Sequence, residues 1–354
     1  MKKRAVVLAG VFMAGSVFAF AGCSIGGSGG TSGKISGNYK EADDATIAQA
    51  LSSIDMENAF VDTTAKNWKY GLQASASLNL SVNARVGNES ASLSASGSAD
   101  YKISLQKKTS LTTQKETLTV AGAGNVNGSF NMSGGGQSIK ASVKANAYHD
   151  TDTVYASLNG TIPNTSGIGG GTQKIDMKVK APIEDIFDEI GGMIPVTAAS
   201  DEIIGGTTEI DFAEVVDKLR AEGYTVFLDT SKGVKIKLSA SEQYVEEVTK
   251  NISQSVAGGE ITWTRDPVFD IYLAFDAEGK FSQVGFDANV SARVTGDDGT
   301  DATVKMTMGI SLKVYTGTVT LPDGIAEDDS YLEIGGSGGP SIGGGNYPDY
   351  DWNV

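Results

Sequence analysis

Residues 72–86 read LQASASLNLSVNARV, and their alternation decides the fold class. Leu72, Ala74, Ala76, Leu78, Leu80, Val82, Ala84 and Val86 take every second position, with Gln73, Ser75, Ser77, Asn79, Ser81, Asn83 and Arg85 between them. Successive side chains of a strand point to opposite faces, so this pattern predicts an antiparallel strand with one buried face. At ~3.3 Å per residue the strand is about 50 Å long, against a common length of about six residues.

The pattern recurs on both sides. After Gly87-Asn88, the residues Ala91, Leu93, Ala95, Gly97, Ala99, Tyr101, Ile103 and Leu105 share a face. A third strand runs from Leu118 to Phe130 and a fourth from Ile139 to Ala147, separated by the turn Ser133-Gly134-Gly135-Gly136. Val154, Ala156 and Leu158 follow the turn His149-Asp150-Thr151-Asp152. Towards the end of the chain three strands carry Phe269–Phe275, Phe286–Val294 and Val304–Val314.

Helical spacing marks the remainder. Ile47, Leu51, Ile54 and Met56 lie on an Ala-rich stretch before the first strand. Pro182 suits a first helical position, and Ile183, Ile186, Phe187 and Ile190 recur at i, i+3, i+4 and i+7. Asp211 with Glu214 makes a capping-box-like start for Val216 and Leu219, closed by Gly223. Ser239 with Glu242 starts a helix carrying Val245, Val248 and Ile252. Strands, helices, then strands read as α+β.

The ends differ from the middle. Lys2, Lys3 and Arg4 precede an apolar run from Ala5 to Ala21, then Gly22 and Cys23. A basic start, a short apolar stretch and small residues before a cut make a secretory signal. With its cysteine this segment resembles the bacterial lipobox, although Phe20 stands where Leu is usual. The resemblance implies a diacylglyceryl group on the Cys23 thiol, cleavage between Gly22 and Cys23, and a protein held outside the cytoplasm on a bacterial membrane. The expected layout is a signal peptide at 1–22, a Gly/Ser tether at 23–38, one domain at 39–334 and a Gly-rich tail at 335–354.

The net charge is −15, and the signal removes three basic residues and no acid. Repulsion from phosphates and anionic headgroups then argues against nucleic acid as a partner, and leaves the lipid on Cys23 as the means of membrane attachment. Cys23 is the single cysteine and His149 the single histidine, so neither a disulfide nor a multi-histidine metal site can form. His149, Asp150 and Asp152 read as turn residues. The G-x-S-x-G matches at Ser28 and Ser337 lie in Gly-rich linkers, without the strand and helix that a nucleophile elbow needs. Gly167–Lys174 lacks the order of a phosphate loop. The acidic runs Asp297-Asp298 with Asp301, and Glu327-Asp328-Asp329, lack the spacing of a calcium loop. Tyr347, Tyr350 and Trp352 leave glycan or partner contacts open, beside a plain tail. No enzyme, metal or cofactor is expected.

An N-terminal helix, long hairpin strands, a helical insertion and closing strands, with Asp152–Ala156 before Asn159-Gly160 and Leu273–Phe281 as local cues, resemble the LolA/LppX-like lipoproteins. That resemblance implies a curved antiparallel half-barrel with helices on its concave face over an apolar cavity. No functional residue carries over, since the family binds with a surface. From the residues themselves, small Ala and Gly positions on one face leave volume for an acyl chain, to which Met306 and Met308 would adapt; a dry core packed directly by helices is the alternative. A cavity would be lined by Met306, Met308, Ile310 and Phe286, under a lid carrying Ile186 and Phe187, and a bulky residue at Ala95 or Gly122 would displace the ligand. The expected role is holding or transferring a lipid or other apolar ligand, with a structural or adhesive surface protein as the second reading.

Overall fold

The structure is a computed structural model that describes residues 33–54, 66–110, 112–163, 171–183, 212–255, 259–296 and 299–333. In chain order the elements are β1 (Lys40–Glu41), α1 (Asp44–Ser52), β2 (Trp68–Val86), β3 (Glu89–Thr109), β4 (Glu116–Gly134), β5 (Gln137–His149), β6 (Thr153–Pro163) and β7 (Thr172–Pro182). Then follow α2 (Phe212–Ala221), β8 (Tyr224–Asp229), β9 (Val234–Ala240), α3 (Glu242–Ser255), β10 (Gly259–Trp263), β11 (Val268–Phe275), β12 (Phe281–Gly296), β13 (Thr300–Val314) and β14 (Leu332–Glu333).

All fourteen strands belong to one broad open sheet, ordered β1-β8-β9-β11-β12-β13-β2-β3-β4-β5-β6-β7-β14, with β10 pairing β12 beside β11. Every pair is antiparallel except β14 with β7. The N- and C-terminal meanders join where β13 pairs β2 along its whole length, from Thr300 opposite Val86 to Val314 opposite Leu72.

The long strands follow from their turns. Val86 pairs Glu89 across Gly87, at φ +62°, and Gly134 pairs Gln137 across Gly135 and Gly136, at φ +58° and +78°. These left-handed glycines close two-residue hairpins whose twist matches the strands.

Burial concentrates at one end of the apolar face. Ile47, Ala50 and Ile54 from α1 and its end, and Val216 from α2, pack on Val226, Leu228, Val234, Ile236, Leu238, Leu273 and Phe275 of β8, β9 and β11. α1 starts where Asp43 accepts the Thr46 N–H at 2.8 Å. A second cluster, Leu80, Val82 and Leu93, lies on β2 and β3.

The middle of the chain is richer in strands than its helical spacing suggests. Pro182 is the last residue of β7 and Ile183 directly after it is helical, while β8, β9 and β10 are strands of six, seven and five residues, too short for long alternation. Ser239 belongs to β9 and donates to Asp270; the cap of α3 is Ser241, whose Oγ accepts the Tyr244 N–H at 3.3 Å. Residues 184–190, Cys23 and the tail at 335–354 lie outside the described residues.

Both chain ends cross the face opposite the helices. Residues 33–38, which composition places in the tether, lie against β11, β12 and β13, with Ile35 buried beside Tyr272 and Ala274. Residues 315–331 run back over β2, β3 and β6, where Tyr155, Ile325 and Tyr331 form a small core, before pairing β7 as β14.

Candidate apolar binding face

Register assembles one apolar face across the sheet. Phe286 lies opposite Ile310, Ile310 opposite Ala76, and the row continues through Ala99, Val126, Ala145 and Leu158 to Met177. The next row places Ala288, Met308, Leu78, Gly97, Gly128 and Val143 side by side. Four residues expected to line a cavity, Met306, Met308, Ile310 and Phe286, therefore share this face. Met306 packs against the Leu80–Val82–Leu93 cluster, Met308 and Phe286 are half-buried, and Ile310 is 47% exposed. The other two, Ile186 and Phe187, lie outside the described residues.

A groove of about 250 Å³ opens at the hairpin end of this face, lined by Ala84, Val86, Ala91, Met132, Gly134 and Ile139. It is two rows beyond Met306. The small Ala91 and Gly134, which sit opposite one another, are the sequence signal for it.

One polar pair interrupts the apolar rows. The Tyr101 hydroxyl lies 2.6 Å from His149 Nε2, and His149 Nδ1 lies 3.0 Å from the Asp150 main-chain oxygen. That carbonyl only accepts, so Nδ1 carries the proton and Nε2 accepts from Tyr101. Burial pushes the Tyr101 phenol above its ordinary value, which keeps it a donor. The ring crosses β4 where Gly124 and Gly122 leave room: a Cβ at Gly122 would stand 2.5 Å from the Tyr101 hydroxyl and 2.1 Å from His149 Nε2. Gly122 is thus occupied space rather than an opening for ligand. Ala95 likewise packs on the Leu80 cluster.

The acidic turn residues are engaged locally. Asp150 Oδ1 accepts the N–H groups of Asp152 and Thr153 at 2.9 and 2.8 Å. Asp301 takes a two-pronged bond from Arg293, both contacts at 2.8 Å. Asp328 accepts from Ser330 and, at 3.2 Å, from Lys178, which hold its carboxyl down at about 2. Asp297 and Asp298 lie outside the described residues. Among the described residues no group of three His, Cys, Asp or Glu side chains is placed to hold a metal ion.

The opposite face carries a second polar constellation that spacing did not signal. Asp229, 6% exposed, accepts from Asn38 N–H and Ser231 N–H at 3.0 Å and from the Ser231 hydroxyl at 2.6 Å. These bonds, the Ser231 hydroxyl foremost, lower its carboxyl to about 2. Asp270 accepts from the Tyr272 hydroxyl at 2.9 Å and pairs Lys237 at 3.1 Å. Tyr39 donates to the Ile35 carbonyl at 2.9 Å, and burial, then Asp229 and Asp270, push its phenol up to about 12. Asn38 and Asp229 are 191 positions apart, and Asp270 meets Lys237 across the pairing of β11 with β9, so the fold joins what are otherwise local turns.

No protein-family model matches the chain, and no curated protein matches it. Among solved structures, the translocator domain of autotransporter NalP from Neisseria meningitidis aligns with 75% of this chain and 94% of its own length, at 7% identity and a TM-score of 0.16. A likeness at that level carries no argument about fold or role.

Proposed function

We propose that this chain is a lipid-anchored extracytoplasmic protein that holds or transfers an apolar ligand such as a lipid, on a LolA/LppX-like half-barrel whose concave side is the apolar face. The observation that carries the reading is the breadth of that face. It continues from β12 to β7, well past the strands on which α1 and α2 pack, through rows of Ala, Gly, Val and Met. Ile310 and Met177 are 47% and 49% exposed on it. Apolar surface of this extent gains ~25 cal/mol per Å² when an acyl chain covers it. The proposed role is binding, and the single histidine, His149, is engaged by Tyr101 and the Asp150 carbonyl within the face.

Native mass spectrometry of the protein extracted from membranes tests the reading. A mass increment matching a lipid, lost on delipidation and regained on adding phospholipid or fatty acid, is expected. A clean polypeptide mass that no such ligand shifts overturns it. For the anchor, Cys23→Ser abolishes acyl labelling, and equal labelling in the variant refutes lipidation.

A structural or adhesive role is the second reading, favoured by the outer edge of β7. Among the described residues that strand pairs β14 only at Val179 and Lys180, so residues 172–178 offer an edge able to pair with another chain. Self-association of a ligand-free protein would select it.

A further inference from the structure

The net charge of −15 conceals a division between the two sides of the sheet. Positions between the apolar rows carry Lys102, Lys140, Lys144, Lys174, Lys305 and Lys313 in a field of Ser, Thr and Asn. The acids on that side include Asp100, Asp176, Asp229, Asp270, Asp287 and Asp301 of the strands and Asp323, Glu327, Asp328 and Asp329 of the crossing segment 315–331, of which Asp229, Asp270, Asp301 and Asp328 each pair with a Lys or Arg. Lys140, Lys144 and Lys305 are exposed, and among the described residues none of the three is paired with a carboxylate. They share cross-strand rows: Lys140, Asn131, Ser94, Ser81 and Lys305 stand side by side over five strands. The exposed acids Glu214, Asp217, Glu242, Glu246 and Glu247 lie on α2 and α3, on the other side.

The chain also enters the fold on the basic side. Gly33 lies so close to β12 and β13 that a Cβ there would meet the Phe286 and Ile310 carbonyl oxygens at 1.8 and 2.5 Å. Cys23 precedes Gly33 by ten positions, at most about 35 Å of chain. From these two observations we infer that the basic Ser/Asn face is a docking surface for anionic phospholipid headgroups, and that the domain rests on its membrane with the apolar face and helices turned away. The choice of a lipid surface rests on the anchored reading of Cys23. Overall acidity does not forbid this contact. A helix is about 10 Å thick, so the acids of α2 and α3 lie more than a Debye length of ~8 Å beyond the sheet at physiological salt, and Asp229, Asp270, Asp301 and Asp328 on the near side are each paired with a Lys or Arg.

The test uses the mature chain carrying Cys23→Ser, so that no acyl anchor contributes, with vesicles of phosphatidylcholine alone or with 30% phosphatidylglycerol at about 0.1 M salt. Binding to the anionic vesicles only, and its loss in 1 M salt, is expected. Lys144→Glu with Lys305→Glu should weaken binding at least about tenfold. Lys218→Glu with Lys250→Glu, the same change in net charge on the helices, should leave it within about twofold. Absence of binding, equal binding to both vesicles, or equal losses in the two pairs overturns the inference. So does binding to a soluble polyanion such as heparin without binding to vesicles. Acyl labelling of the wild-type chain reads the anchor separately, so its failure is distinguishable from failure of the docking face.

Discussion

The Tyr101 hydroxyl bonds His149 Nε2 at 2.6 Å from two strands away, its ring lying over Gly124 and Gly122 of the strand between. Tyr101→Phe removes one hydrogen bond and should cost about 1 kcal/mol. Gly122→Ala puts a methyl where the hydroxyl and the imidazole stand, and should cost more, ~1–3 kcal/mol, by displacing both. Denaturant titration of the two variants checks the order; a neutral Gly122→Ala would show that the ring does not lie across β4.

Asp229 sets an acid limit on the docked N-terminal segment. Its carboxyl falls from an ordinary 3.8 to about 2 because the fold favours the charged form. The stabilisation is therefore complete above the ordinary value and drains away as pH falls from about 4 towards 2. Asp229→Asn should lower the denaturant midpoint at pH 7, with the gap from wild type closing over that window. A gap that stays constant to pH 2 would refute the assignment.

Docking of residues 33–39 depends on close backbone approach as much as on Ile35. A side chain at Gly33 or at Gly285 would collide with main-chain oxygens, the Gly285 Cβ meeting the Gly33 carbonyl at 1.9 Å. Gly285→Val should release the segment and raise hydrogen exchange at Asn38, whose N–H is held by Asp229. The helix-side core should remain protected, since it lies on the other face.

Ile236 is fully buried between β8 and β11 under α1 and α2. Ile236→Ala should cost ~2–5 kcal/mol, the loss of a buried side chain plus the cavity it leaves. Ile310→Ala, on the half-exposed part of the same face, should cost well under half as much. Matching losses at the two sites would mean that the part of the face proposed to bind ligand is as tightly filled as the helix-covered end.

Long alternation made β2, β3, β4, β12 and β13 legible with their turns, because a period of two over many residues has one structural reading. The shared face of Phe286, Met306, Met308 and Ile310 followed from the same alternation. β8 and β9 were obscured, since six or seven residues between helices give the pattern too little length. The Asn38 bond to Asp229 and the packing of Gly33 and Ile35 join residues about 190 to 280 positions apart, and Asp270 meets Lys237 and Ser239 only through the pairing of β11 with β9. Composition read those N-terminal glycines as a tether, because close approach and free coil both select glycine.

The paired glycines under Tyr101 also bear on how the sheet finds its alignment. β2, β3 and β4 run 19, 21 and 19 residues, and much of their pairing matches Ala or Gly against Ala and Ser against Ser. A shift by one residue would send every apolar side chain to the wrong face, but a shift by two preserves the alternation and is opposed only by bulky positions. Tyr101 is such a position. Displaced by two residues away from the loop that joins β3 to β4 it would meet Val126 in place of Gly124, and its ring would have no trough. Gly122 and Gly124 therefore act as a keyway that opposes slippage of β3 on β4 in that direction. Filling either should slow refolding by populating slipped hairpins, an effect on rate beyond the loss of native stability.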